Sequence, residues 1–379
     1  MRLAALHLVC FLLLAMSTAA TLPGFRLRDV ASKEEIGWDY DAGNETIVVA
    51  LPTNWTAPFA TTQLCNRDVV NFFPNCKTLL PELILMARAD LHCPPGTHYF
   101  RSNSQPSYSM CLRTDDLVDN YIRSDGRWLD CDKLLAPGLN PQRKTAMTFV
   151  DVGANVGGCA LLLSAAGHSV FAFEPSPDNF ALLQANYRLN GFDTGRIFNA
   201  GVAAVQGETT FWQEHGNTGN TLQIGGDPEE REARLRHAGT VSVPTYVKVD
   251  NVSLVTLDDL VHDHIDVLKM DCQGCELSAL KGASRLFAEE AISVVAFELG
   301  PTFLRAGGVE NASELLYFLH DRGFANWVAG NPHDTSDGIL TPPETFFEVC
   351  AEVESRVYPF TDVIARHHGF WAAWYAAGG

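Results

Sequence analysis

In the stretch TFVDVGANVGG, residues 148–158, an apolar run meets an acid and then a turn of glycines. Asp151, Gly153, Asn155 and Gly157 fall at every second position. A second apolar run, residues 169–173, ends in Glu174. Glycine at 153 and 157 removes the Cβ atoms that would keep a ligand off the backbone, and it frees a tight turn. A carboxylate at the tip of the next strand can accept hydrogen bonds from both hydroxyls of a ribose. Strand, glycine turn, helix and acid together suit a nucleoside held at the carboxyl edge of a parallel sheet.

The spacing separates the nucleoside ligands. A dinucleotide needs G-x-G-x-x-G, so that the amides at a helix N-terminus meet its pyrophosphate. Here the pattern is D-x-G-x-N-x-G, from Asp151 to Gly157. Asp151 would repel a pyrophosphate but suits the ammonium and sulfonium of S-adenosylmethionine. That cofactor is therefore expected, on Asp151, Gly153, Asn155, Gly157 and Glu174. An NAD-dependent oxidoreductase is disfavoured by the missing third glycine. A purely local role, with Asp151 capping the turn and Asn155 tolerating left-handed geometry, uses the same residues.

A second cluster follows about a hundred residues later. VTLDDL occupies 255–260 and DVLKMDCQGCELSALKGA occupies 266–283. Lys269 and Asp271 stand two apart, on one face of a strand. The pair Cys272-Gln-Gly-Cys275 has no second pair to complete a metal site, so no metal is expected.

Together with FVDVGANVGG, this cluster resembles the FkbM-type methyltransferases. In that family a strand ending in K-x-D is followed by x-E-G-x-E and by a helix ending in L-K-G-A. Lys269, Asp271, Gly274, Glu276, Lys281, Gly282 and Ala283 match that pattern, over a resemblance that spans roughly 147–300. The family's first Glu after K-x-D is Gln273 here. The resemblance implies a class I methyltransferase fold and methyl transfer, usually to oxygen, on sugars or small metabolites. A sulfonium is already a strong electrophile, so the protein has only to align a hydroxyl and take its proton. Asp271 is the candidate base or orienting group; Lys269 pairs with it or holds its charge near the substrate. Glu298 is a candidate substrate contact. Glu276 reads rather as a first-turn acid favoured by the helix dipole. His215, His262 and His264 titrate in a useful range, and the last two read as solvated. Gln273 keeps open an alternative: a secreted binding protein on a catalytically decayed methyltransferase scaffold.

These side chains must be carried by alternating strands and helices. The strands are expected at 149–152, 170–173, 196–204, 265–270 and 291–299. The helices are expected at 158–166, after Pro177, at 276–281 and at 313–322, and a hairpin is expected over the site within 210–250. Such βα alternation implies an α/β fold with a doubly wound, mostly parallel, Rossmann-like sheet. It begins after the turn-rich linker at 136–144, which puts a domain at 146–379 and a smaller Cys-containing unit at 21–145.

The amino terminus reads as a secretory signal over residues 1–20, with Arg2, an apolar run and small residues through Ala20. The run is short for a span, so no stable membrane segment is expected beyond it. The protein is expected in the secretory pathway lumen or secreted, with a small-molecule or glycan acceptor. Five cysteines at 65, 76, 93, 111 and 131 suggest disulfides in the amino-terminal unit. Sequons at Asn44, Asn54, Asn251 and Asn311 are compatible with that compartment. A formal charge of −18 argues against nucleic acid, whose phosphates need a basic face.

Overall fold

The computed structural model of the chain describes residues 25–30, 37–41, 46–52, 93–136, 139–140, 142–224, 245–330, 338–340, 346–355 and 360–376. Two compact units divide at Phe100 and Arg101. The first contains β1 (Phe25–Val30), β2 (Gly37–Asp41) and β3 (Thr46–Pro52), which form a three-stranded sheet of order β1-β3-β2. Most of β4 (Thr97–Arg101) also falls in it.

The second unit is built on an eight-stranded sheet. Its strands are β6 (Thr148–Val152), β7 (Ser169–Phe173), β8 (Ile197–Phe198), β13 (Ile265–Met270), β14 (Ile292–Leu299), β15 (Phe324–Gly330), β16 (Gly338–Leu340) and β17 (Thr361–His367). Their order is β16-β15-β17-β14-β13-β6-β7-β8. β6, β7, β8, β13 and β14 are parallel, and β17 runs antiparallel to both β14 and β15. This is a doubly wound, mostly parallel α/β sheet. Chain order reverses between β6 and β13, so a crevice opens there beyond the carboxyl ends of the strands.

The parallel strands form because their residues are buried on both faces, which selects continuous Val, Ile, Phe and Leu. Val150, Val152, Phe173, Leu268, Met270, Val295 and Phe297 belong to one core cluster. α2 (Gly158–Ala165) follows the glycine turn and is apolar nearly all round because it is buried. α3 (Pro177–Leu189) starts with Pro177 and is capped by Ser176, whose hydroxyl accepts from the Asn179 amide. α4 (Glu276–Lys281), α5 (Pro301–Ala306) and α6 (Ser313–His320) complete the helices that flank β13 and β14. The aromatic tail forms a helix from His368 to Ala376, and its Phe370 is buried.

The structure departs from the expected elements in three places. The strand expected at 196–204 is two short pieces, β8 in the main sheet and β9 (Gly201–Val202) in a second sheet. Asn199 lies between them and turns its side-chain amide onto the Glu174 carbonyl at 2.9 Å. The segment at 210–250 gives the hairpin β10 (Gly207–Glu214) and β11 (Asn217–Leu222), to which β12 (Tyr246–Val255) adds a third antiparallel strand. The compact unit also starts well before residue 146. It includes β5 (Ser109–Arg113), α1 (Leu117–Asp125) and a 3₁₀ helix, Leu129–Leu135.

Cys131, grouped by its sequence position with the amino-terminal cysteines, is bonded instead to Cys159 in the first turn of α2. Cys93 and Cys111 are also disulfide-bonded, and Cys65 and Cys76 lie outside the described residues. Residues 1–20, Asn44 and Asn54 lie outside them as well, whereas Asn251 and Asn311 are exposed. Among the described residues no helix is long and apolar enough to cross a membrane.

Candidate active site

The glycine turn is shaped by contacts that only glycine permits. Gly153 has φ 81°, and a Cβ there would sit 1.9 Å from the Asp271 carbonyl oxygen. Gly157 has φ 100°, and its Cβ would stand 2.8 Å from Leu183. Asn155, at φ 50°, takes the left-handed conformation its side chain tolerates. The amides of Gly153 and Ala154 both donate to the Phe173 carbonyl at 3.0 Å, which folds the turn back over the end of β7.

Glu174 holds the other side of this turn. Its Oε2 accepts from the Asn155 amide at 2.8 Å and its Oε1 from the Ser176 amide at 2.9 Å. The side chain is buried, and burial raises its pKa to about 7 against the lowering pull of those two amides. An ionised carboxylate offers about four acceptor sites. Two main-chain bonds, with Asn179 Nδ2 at 3.5 Å, therefore leave capacity for a ligand hydroxyl.

Asp151 is 1% exposed and lies directly opposite Lys269 in the β6–β13 register. Lys269 Nζ stands 3.0 Å from Asp151 Oδ1 and 3.8 Å from Asp271 Oδ2, and it donates to the Gly153 carbonyl at 3.1 Å. Burial alone would lower the Lys269 pKa, but the two carboxylates outweigh it and raise it. Asp151 thus shares its charge with a lysine. Its Oδ2 and the Asn155 Oδ1 are both buried without a hydrogen-bond donor. Buried orphan acceptors are uncommon and mark places for a missing partner. Two such acceptors and the spare capacity of Glu174 fit the adenosyl and amino groups of S-adenosylmethionine.

Beyond the turn lies a group of acids. Asp271 follows β13 with its side chain 35% exposed, the more open of the two carboxyls paired with Lys269. Glu298, near the end of β14, lies opposite Asp362 of β17. Gln273 Nε2 donates to Asp271 Oδ1 at 2.8 Å and to Glu298 Oε2 at 2.9 Å. Burial, reinforced by Asp271, Asp362 and Glu276, raises Glu298 well above the usual carboxylate range. From the 3₁₀ helix, Lys133 reaches Asp362 at 3.1 Å, and burial with Asp362 nearby raises Asp130 to about 7. Glu276 is a structural acid: buried in the first turn of α4, it accepts from the Cys272 and Gly274 amides at 3.2 and 3.0 Å. Cys272 and Cys275 are bonded to each other, closing the loop that carries Gln273.

The structure brings Asp151, Gly153, Asn155, Gly157, Glu174, Lys269 and Asp271 to one sheet edge, with Glu298 beside them. It separates His262 and His264, which precede β13 at its opposite end, where His264 pairs with Ser293 at 2.8 Å. His215 sits exposed in the turn between β10 and β11. Glu290, His367 and His368 come within 4.8 Å of one another at that opposite end. There the His367 Nδ1 already accepts from the Gly369 amide at 3.3 Å.

Three supporting residues carry no signal in the sequence. Asp116 caps α1 and accepts from the Thr218 amide and hydroxyl at 2.7 and 2.8 Å, pinning the β10–β11 hairpin. Asn179 donates to the Thr218 carbonyl at 3.0 Å. Asn186 donates to the Val156 carbonyl of the glycine turn at 2.9 Å and accepts from the Cys111 amide at 2.6 Å. The hairpin lies over the turn: a Cβ on Gly219 would be 2.8 Å from Asn155 Nδ2.

Residues 151–325 match the methyltransferase FkbM domain family, and every candidate site residue lies inside that range. Over 199 residues the chain is 28% identical to "Methyltransferase sdnD" of Sordaria araneosa, covering 46% of this chain and 73% of the relative. Among solved structures it is similar to the methyltransferase FkbM of Methylobacillus flagellatus KT, at 17% identity and a TM-score of 0.32. That match covers 66% of this chain and spans only 52% of the other. It is also similar to the magnesium protoporphyrin IX methyltransferase of Synechocystis PCC 6803 with bound SAM. There the identity is 13% and the TM-score 0.34, over 66% of this chain and 84% of the other.

Proposed function

Because residues 151–325 are an S-adenosylmethionine-dependent methyltransferase domain of the FkbM family, we propose that this chain methylates a hydroxyl of a glycan or small metabolite in the secretory pathway. The observation that carries the reading is the position of Asp271. Its main-chain carbonyl packs against Gly153 of the turn, and its carboxyl is held by Lys269 on one side and Gln273 on the other. It stands at the switch point of the sheet, where ligands of open α/β folds lie.

The bound cofactor supplies an electrophilic methyl group. The protein's own part is then to bind, to orient and to move one proton. Asp151 and Asn155 present unpaired acceptors to the cofactor's polar groups, and Glu174 presents its remaining acceptor capacity to a ribose hydroxyl. Asp271 accepts the acceptor hydroxyl's proton or fixes its lone pair in line with the methyl group. Lys269 balances the charge of Asp271 and of Asp151 beneath it. Lys133 is paired with Asp362, and Lys269 with Asp151 and Asp271, so neither cation is spare for a carboxylate or phosphate, which favours a neutral hydroxyl acceptor.

The secretory location is supported by the bonded cysteines, since disulfides persist in oxidising compartments. Exposed Asn251 and Asn311, both in sequons, accord with it.

The test is transfer of a labelled methyl group from S-adenosylmethionine to glycans and small hydroxyl compounds, with wild type and Asp271→Asn compared. The variant should retain S-adenosylhomocysteine affinity and lose roughly 10²–10⁴-fold in turnover, the span of general-base loss. Equal turnover would remove Asp271 from the mechanism. Cofactor binding without transfer to any acceptor would favour a binding protein on a decayed scaffold.

A further inference from the structure

Gln273 occupies the position where the FkbM pattern has a glutamate, and its geometry is that of a clasp. A side-chain amide nitrogen carries two hydrogens. Gln273 directs one to Asp271 Oδ1 at 2.8 Å and the other to Glu298 Oε2 at 2.9 Å, so the two acids at the ends of β13 and β14 are joined through one residue. The aim of the amide is preset by the loop. Gln273 has φ 55° and Gly274 φ 104°, and a Cβ on Gly274 would lie 2.2 Å from the Phe303 carbonyl. Glu276 grips the Cys272 and Gly274 amides, and the Cys272–Cys275 bond closes the loop on either side of Gln273.

We propose that Gln273 is a positioning residue that orients two carboxyls of unlike role, Asp271 as the proton acceptor and Glu298 as a hydrogen-bond donor to the acceptor molecule. This rests on the assignment of Asp271 to the acceptor proton. A glutamate at 273 would bring a third carboxyl between the two and, when ionised, would offer neither a hydrogen. The groups that face the clasp are Lys269, Glu276, Asp362, Asp130 and Lys133, besides Asp271 and Glu298 themselves. Burial and the neighbouring acids raise Glu298, and the Gln273 hydrogen bond works against that rise. A pair with one ionised and one neutral carboxyl recognises a hydroxylated acceptor that both gives and takes hydrogen bonds. A vicinal diol does this with adjacent oxygens.

The experiment is a carboxyl titration by carbon-13 NMR on the full chain, with labelled Asp and Glu, in wild type, Gln273→Met and Gln273→Glu. Met keeps the length and the Cβ of Gln, so the loop is under no new strain, but it gives no hydrogen. The Glu298 midpoint should rise from wild type to Gln273→Met by about one pH unit, a tenfold change in proton affinity. It should rise further in Gln273→Glu, which adds a charge to the lost donor. The alkaline limb of the turnover profile, where Glu298 loses the proton it donates, should move up with it in Gln273→Met, while the Kd for S-adenosylhomocysteine stays put. A Glu298 midpoint that is the same in wild type and Gln273→Met would overturn the clasp. The titration needs no acceptor, so it decides the clasp even if no methyl transfer is found, an outcome that would count against the proposed reaction alone.

Discussion

Lys269 and Asp151 face each other across the β13–β6 ladder, at the two strand positions where the chain reverses its winding direction, with Nζ 3.0 Å from Oδ1. Both side chains are mostly buried, at 15% and 1% exposed. The same ammonium touches Asp271 and the Gly153 carbonyl, so one lysine ties the glycine turn to the candidate base.

Removing one partner of such a pair leaves a buried charge uncompensated. Lys269→Met should destabilise the protein by about 3–5 kcal/mol, and the double variant Asp151→Asn, Lys269→Met should recover most of that. Denaturant unfolding of the two variants checks it. A single variant as stable as wild type would show that the pair carries no such coupling.

Glu174 holds two amides and is proposed to accept from the ribose as well. If it does, Glu174→Ala should weaken S-adenosylhomocysteine binding by about 1.5–3 kcal/mol. It also orphans the Asn155 and Ser176 amides, so stability should fall on the order of 1–3 kcal/mol, the cost of an unsatisfied buried group. Calorimetric binding beside a melting curve reads both. Unchanged affinity would sink the ribose assignment even if the melting point falls.

The strands and the cofactor turn are legible in the sequence because their signals are local. Thr148–Val152 is an apolar run closed by a glycine turn, and Ile265–Met270 is bounded by its own apolar span. Asp151, Gly153, Asn155, Gly157 and Glu174 follow a pattern of short spacing, and they converge in space. What stays hidden is long-range. Asp116 reaches Thr218 across 102 positions, Asn186 reaches Cys111 across 75, and Cys131 reaches Cys159 across 28. None of these partners has a periodicity to announce it. The turn at Asn199 that ends β8 early is hidden for another reason: it answers to the Glu174 carbonyl, a tertiary partner.

The buried acids make stability depend on pH. Glu174 and Glu276 stand at about 7 in the folded protein, against an ordinary 4.5, so between those values the folded state holds more protons than the unfolded one. Stability therefore falls as pH rises through that window, by up to about 1.4 kcal/mol per pH unit for each group. The ligand-free protein should melt at a higher temperature at about pH 5.5 than at about pH 7.5, values chosen to straddle the folded-state midpoint. His168, His264 and His367, held below their ordinary 6.5 by burial, act in the opposite sense, so a melting point that rises across this interval would mean that they outweigh the acids.

The central claim, that the turn from Asp151 to Gly157 with Glu174 holds S-adenosylmethionine, is tested most directly by calorimetric titration of the full chain with S-adenosylhomocysteine, beside a Gly153→Ala variant. A Cβ at 153 would lie 1.9 Å from the Asp271 carbonyl and force the turn apart. One site per chain is expected in the wild type, and at least a tenfold loss, about 1.4 kcal/mol, in the variant. No heat of binding in a folded wild type, or equal affinity in a folded Gly153→Ala protein, would contradict it.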